Sequence, residues 1–237
     1  MLPSPWRQLL AEFLGTFCLV FAGTGAIVVN DFSQNAITHL GIATAFGLVV
    51  FAMIYTFGEI SGSHLNPAVS IGLWVAGKFD TRHVTSYIVA QCAGAVMASM
   101  VLQGVFPAHR TLGMTLPAAG QSSAFLFEVL LTWMLMLVIL NVTHPTNPHR
   151  SFAGFIIGAF VGLEALFGGP VSGASMNPAR SLGPALVSGN MLDLWIYLIA
   201  PVIGSIVAVW THRLLMLTAE PNKPPTDVVQ QDTLKGN

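Results

Sequence analysis

The chain has 237 residues, 54% hydrophobic and only 8% charged, with a formal net charge of -1. Soluble domains carry roughly a quarter charged residues, so this composition excludes an ordinary soluble enzyme and marks an integral membrane protein. Near-neutral charge also argues against a nucleic-acid partner and against a polybasic lipid-binding tail.

Several apolar runs reach the roughly 20 residues that a helix needs to cross about 30 Å of hydrocarbon. Helices, rather than a barrel, are therefore the economical reading. The first run, near Trp6–Val29, follows MLPSPWR with its single positive charge. It is too long for a signal-peptide core and lacks a small-x-small cleavage pattern, so it is expected to be retained. Further spans are expected near His39–Phe57, His83–Val105, Ser123–Val142, Phe152–Phe167 and Leu192–Leu215, six in all. Cys18 and Cys92 fall inside spans with no disulfide or metal-ligand spacing and read as small buried residues. The proline-containing polar end, Glu220–Asn237, reads as a disordered tail. One transmembrane domain is expected over 1–237, with repeats at about 6–105 and 121–217 and a cytoplasmic tail at 218–237.

Six spans put both termini on one side. With them lie Arg7, Lys78, Arg82, Arg150, Arg213, Lys223 and Lys235, against only Arg110 and Arg180 opposite. Positive residues concentrate on the cytoplasmic side, so both termini are expected there.

Sliding the chain against itself by 111 residues aligns ISGSHLNPAVS (Ile60–Ser70) with VSGASMNPARS (Val171–Ser181), identical at six of eleven positions. Glu12 in the first span answers Glu128 in the fourth, and Tyr87 and Gly94 answer Tyr197 and Gly204. Each copy holds three spans, an odd number, so the second enters from the other face of the membrane and the repeat is inverted.

After each Asn-Pro the chain stays apolar for about eleven residues, roughly 16 Å of helix or half a bilayer core. Asn at the N-cap and Pro at the first helical position are where those residues are favoured. Two half-helices entering from opposite faces would meet end to end. The non-helical backbone before them must be buried in protein or line a water-filled cavity.

These residues, SGSHLNPAVS and SGASMNPARS with Glu12 and Glu128 in repeat-related helices, resemble the aquaporins, or major intrinsic proteins, over about Trp6–Leu217. The resemblance implies an all-α right-handed bundle of six transmembrane helices plus two re-entrant half-helices. It also implies a homotetramer with one pore per subunit in the cell membrane, passing water and small neutral solutes, with no cofactor, no metal and no enzymatic activity.

In such a pore, Asn66 and Asn177, with Pro67, Ala68, Pro178 and Ala179, place amide donors and positive half-helix ends at the centre. A passing oxygen accepts from both and turns its hydrogens outward, which breaks a proton-conducting chain. Carbonyls of Gly62, Ser63, His64, Gly173, Ala174 and Ser175 would form an acceptor ladder in an extended segment. Glu12 and Glu128 are expected to accept hydrogen bonds from the re-entrant loops. His64 either lines the pore or holds its loop.

By resemblance, Arg180 is one corner of the outer selectivity filter, and Phe46, Ala165 and Ala174 are the others. Strict water channels usually carry histidine at the position of Ala165, so a wider filter is expected here. Glycerol facilitators usually carry Asp where this chain has Ser181. The small filter residues, together with Tyr197 followed by Leu198, resemble the nodulin-like intrinsic proteins and their bacterial relatives, a branch associated with arsenous and boric acids. Strict water selectivity is the alternative, and a proton-coupled secondary transporter on the same inverted architecture is a further one. Glu59 and Glu164 either pair with nearby loop groups, or hydrogen-bond a solute or gate by protonation.

Overall fold

The computed structural model describes residues 4–217. The expected tail at 218–237 lies outside the described residues. Among those residues the structure is all-helical: α1 (Pro5–Phe32), α2 (Thr38–Ser61), α3 (Pro67–Val75), α4 (Thr81–Val105), α5 (Gln121–Val142), α6 (Ala153–Ser172), α7 (Pro178–Ser188) and α8 (Leu194–Leu217), with a 3-10 turn at Arg150–Phe152 before α6. Six of these are long and apolar enough to cross a membrane. The two short ones, α3 and α7, are the half-helices.

Two spans run further than their composition suggests. α2 continues to Ser61 and α6 to Ser172, past the expected ends at Phe57 and Phe167. Glycines and Pro170 read as breakers, since an interior proline removes its own N–H bond to the carbonyl four residues back and crowds that carbonyl. That carbonyl, on Leu166, instead accepts from His39 Nε2 at 2.7 Å, so α6 passes through Pro170 with its backbone satisfied.

Within each repeat the first and third spans approach closely through one glycine. A Cβ at Gly94 would sit 2.3 Å from the carbonyl oxygen of Phe13, and one at Gly204 would sit 2.3 Å from that of Val129. α1 therefore packs backbone to backbone on α4, and α5 on α8, the way small residues let helices associate where lipid supplies no hydrophobic drive. Across the repeats, α2 meets α6 through Gly47 and Gly158. The half-helices sit inside this frame. The α3 C-terminus reaches the side of the termini, where the Val75 carbonyl accepts from Arg213 Nη2 at 2.6 Å, and α7 ends on the opposite side.

Gly94→Val and Gly204→Val should each destabilise the fold, by about 1–3 kcal/mol or more, as overpacking in a close-packed interior does. Gly104→Val, whose Cβ meets nothing within 4 Å, is the control. Thermal unfolding of detergent-solubilised protein followed by size exclusion reads the difference, and equal midpoints for all three would reject the close-approach account.

Candidate functional site

Asn66 and Asn177 cap the two half-helices. Asn66 Oδ1 accepts from the Ala68 N–H at 2.9 Å, and Asn177 Oδ1 from Ala179 at 3.0 Å and Arg180 at 3.3 Å. Pro67 and Pro178 occupy the first helical positions, where a missing N–H leaves nothing unpaired. The side-chain amides then tie the half-helices together. Asn66 Nδ2 donates to the Met176 carbonyl at 2.7 Å and Asn177 Nδ2 donates to the Leu65 carbonyl at 2.8 Å. Each amide uses one N–H in this exchange and keeps the other.

The loops leading into the half-helices are not extended. Gly62 and Gly173 both take φ 86°, ending α2 and α6 in the left-handed region that glycine tolerates, and Ser63, Leu65, Ala174 and Met176 also have positive φ. Three of the four residues in each bend are thus left-handed, and the N–H groups turn to one side. Glu12 Oε1 accepts from the His64 N–H at 2.9 Å and Oε2 from Leu65 at 2.7 Å; Glu128 Oε1 accepts from Ser175 at 2.8 Å and Oε2 from Met176 at 2.7 Å. Ser61 and Ser172 hydroxyls each donate to the same carboxylates at 2.7 Å, while accepting from the Ser63 and Ala174 N–H groups. The Tyr87 and Tyr197 hydroxyls donate to the Ser61 and Ser172 carbonyls at 2.9 and 2.7 Å. With every N–H of the bend drawn backward, the carbonyls of Gly62, Ser63, His64, Gly173, Ala174 and Ser175 take no protein donor among the described residues.

These residues border one cavity of about 570 Å³. Its wall includes Gly62, Ser63, His64, Leu65, Asn66, Ala174, Ser175, Met176, Asn177 and Arg180, with Phe46 and Ala165 from α2 and α6. Gly173 is not part of that wall; it packs on Thr115, which a Cβ there would meet at 3.0 Å. Ala68, Ala179, Pro67 and Pro178 are buried behind the capping asparagines. Toward the side of the termini the wall carries Glu59, Lys78 and Arg150.

Arg180 is 2% exposed and has no carboxylate ion pair among the described residues. Its Nη1 donates to the Gly113 carbonyl at 2.9 Å, and its Cζ lies 5.1 Å from the centre of the Phe46 ring. Its Nε is buried without a partner among the described residues, so the remaining Nη hydrogens are what this cation can offer the cavity. Ser181, next in the helix, accepts from Thr115 at 2.9 Å and faces Ser175 Oγ at 2.5 Å, so it braces the loop from behind.

His64 both borders the cavity and holds its loop, through Nδ1 to Ser70 Oγ at 3.0 Å and ring contacts with Phe79 and Tyr87. Glu59 is exposed at the cavity mouth. Glu164 is fully buried, outside the wall, and neither carboxyl oxygen has a protein hydrogen-bond partner among the described residues. It does not pair with the loop. Sequence reasoning missed Ser61, Ser172, Gln91, Gly113 and Thr115. The two serines stand at identical positions of the aligned repeats and could have been found there. Gln91, which donates to Glu12 at 2.8 Å, answers Pro201 in the second copy, and Gly113 and Thr115 lie in a connection that has no second copy.

A family model described as major intrinsic protein matches residues 2–212. Nodulin-26 of Glycine max is 44% identical over 216 residues, covering 91% of this chain and 80% of that relative. Aquaporin NIP1-4 of Oryza sativa subsp. japonica is 44% identical over 215 residues, covering 90% and 78%, and Aquaporin NIP3-1 of Arabidopsis thaliana is 45% identical over 220 residues, covering 90% and 68%. Among solved structures, the aquaglyceroporin from Plasmodium falciparum superposes with a TM-score of 0.81 at 29% identity, covering 90% of this chain and 97% of that one.

Glu128→Gln puts an NH2 group against an N–H donor of the second loop, and Glu12→Gln does the same in the first. Leaving a buried donor unpaired costs about 1–3 kcal/mol, so both variants should melt earlier in detergent. Glu12, with four donors against three on Glu128, should lose at least as much. Unchanged melting in both would mean the carboxylates do not support the loops.

Proposed function

Since this chain belongs to the major intrinsic protein family, we propose that the cavity past Asn66 and Asn177 is the pore of a passive channel for water and small uncharged solutes, and that the protein is not an enzyme. The observation that carries this reading is the reciprocal pairing of the two asparagines, because it leaves one amide N–H on each beside two positive half-helix ends at the middle of the wall. A solute oxygen there accepts from both asparagines. A water so held directs its hydrogens away along the pore, which interrupts proton hopping, and the half-helix ends repel cations.

Unpaired carbonyls of Gly62, Ser63, His64, Ala174 and Ser175 supply acceptors along the same wall. Neutral molecules with several hydroxyls suit such a track of acceptors. Phe46, Ala165, Ala174 and Arg180 form the selectivity filter in this proposal. Two methyl groups at its corners leave room that an imidazole at position 165 would fill. Glycerol-like solutes and the trihydroxy acids of boron and arsenic are therefore the substrates we assign beside water, and the names of the nodulin-type relatives are consistent with that branch. Strict water selectivity is disfavoured by Ala165.

The same proposal includes a homotetramer in the cell membrane, with both termini cytoplasmic by the excess of Lys and Arg on their side. Light scattering should give a protein mass near four times the 25.2 kDa chain.

Proteoliposome shrinkage should show passive, bidirectional flux of water, glycerol, urea, boric acid and arsenous acid with weak temperature dependence. Ala165→His should cut the larger solutes roughly tenfold more than water, equivalent to about 1.4 kcal/mol of added barrier. Equal reduction of all solutes would reject the filter assignment, and uptake that requires a proton gradient would replace the channel with a coupled carrier.

A further inference from the structure

Among the described residues one side-chain hydrogen bond holds Arg180, and its acceptor lies in the segment 106–120 that joins α4 to α5. The Gly113 carbonyl is aimed by two left-handed residues in succession, Leu112 at φ 50° and Gly113 at φ 71°. Leucine takes that conformation only when its surroundings impose it. Leu112 is fully buried, and its N–H donates to His109 Nδ1 at 3.0 Å. An Nδ1 that accepts carries no proton, so the ring proton is on Nε2, which donates to Asp31 Oδ2 at 3.1 Å at the end of α1. Gly113 also lies against α1, where a Cβ would come 2.9 Å from the Thr24 carbonyl. From α1 to Arg180 the connection is unbroken: Asp31, His109, Leu112, Gly113, guanidinium.

We propose that His109 is a positioning residue for solute selection: in its neutral Nε2–H form it shapes the Leu112–Gly113 bend whose carbonyl holds Arg180 at the filter. Protonating the ring puts a hydrogen on Nδ1, where the Leu112 N–H already points. Two donors then face each other, the bend loosens, and Arg180 loses its protein hydrogen bond. The filter admits larger neutral solutes as a result. Asp31 is the charged group facing the ring from α1, and Arg110 is beside it in the segment; the last turn of α4 and the first turn of α5 carry no ionisable side chain. Because 106–120 joins the two repeats, it has no symmetric copy, which matches the single arginine it serves.

This inference rests on the channel reading with Arg180 in the filter, and the test separates the two. The ratio of glycerol to water permeability is measured in proteoliposomes equilibrated at about pH 8 and about pH 5, for wild type, His109→Asn, His109→Ala and Arg180→Val. Asparagine offers a carboxamide oxygen in place of Nδ1 and does not titrate. The wild-type ratio should rise at the lower pH, His109→Asn should keep the high-pH wild-type ratio at both, and His109→Ala should be raised at both, by roughly three- to tenfold, as loss of one hydrogen bond allows. A wild-type ratio that ignores pH, or His109→Asn titrating like wild type, overturns the inference. An altered ratio in Arg180→Val with a wild-type ratio in His109→Ala overturns it alone, whereas an unaltered ratio in Arg180→Val overturns the filter reading beneath it.

Discussion

Two buried carboxylates accepting backbone N–H bonds are what the rest of this structure depends on. A chain that leaves helical geometry at the depth of the hydrocarbon core exposes polar groups that lipid cannot satisfy, at a cost of several kcal/mol each. Glu12 and Glu128 remove that cost on one side of each bend, and so allow four side-chain-bearing residues, Ser63, Leu65, Ala174 and Met176, to adopt positive φ. Positive φ at three of the four residues of each bend sends the N–H groups backward, which leaves the carbonyls facing the cavity. The acceptor track is thus a consequence of where the donors were drawn. Without the carboxylates the bends would have no reason to hold, and the half-helices would have no common centre.

The bends also explain why the half-helices meet where they do. Asn66 and Asn177 each cap their own helix with the side-chain oxygen and reach across to the other loop with the side-chain nitrogen. Each needs the carbonyl of the residue before its partner, Leu65 or Met176, and those carbonyls are presented only by a left-handed backbone. Cap, cross-brace and bend are therefore one cooperative unit in two copies. The Gly94 and Gly204 contacts, which bring α1 onto α4 and α5 onto α8, set Glu12 and Glu128 at the distance the bends require.

Legibility in the sequence followed repetition. The half-helices, their asparagine caps and the inverted arrangement could be read because the same eleven-residue pattern occurs twice among apolar runs. Glu12 and Glu128 stood out because a carboxylate inside a span demands a partner. The left-handed bends were not legible: serine, leucine, alanine and methionine give no local signal for positive φ, which here comes from tertiary acceptors. The continuation of α6 through Pro170 was hidden for a similar reason, since its compensation comes from His39, far away in the chain. The bracing of Arg180 by Gly113 was hidden because the 106–120 connection has no second copy to compare with.

Symmetry, carried one step further, separates what the fold requires from what selection requires. Shifting by 111 residues maps Phe46, Ala165, Ala174 and Arg180 onto Ile157, Ile54, Ser63 and Val69, and all eight border the cavity. The ring of four around Arg180 has a charge, an aromatic face and a bracing connection; its mirror image has two isoleucines, a valine and a serine. Whatever holds the loops is duplicated, as the paired glutamates, serines, tyrosines and asparagines are. Discrimination between solutes needs only one narrow polar section, and a second arginine at position 69 would add another desolvated charge without a connection like 106–120 to hold it. In the filter proposed here, the departures from the repeat, not the repeat itself, carry the chemistry of selection.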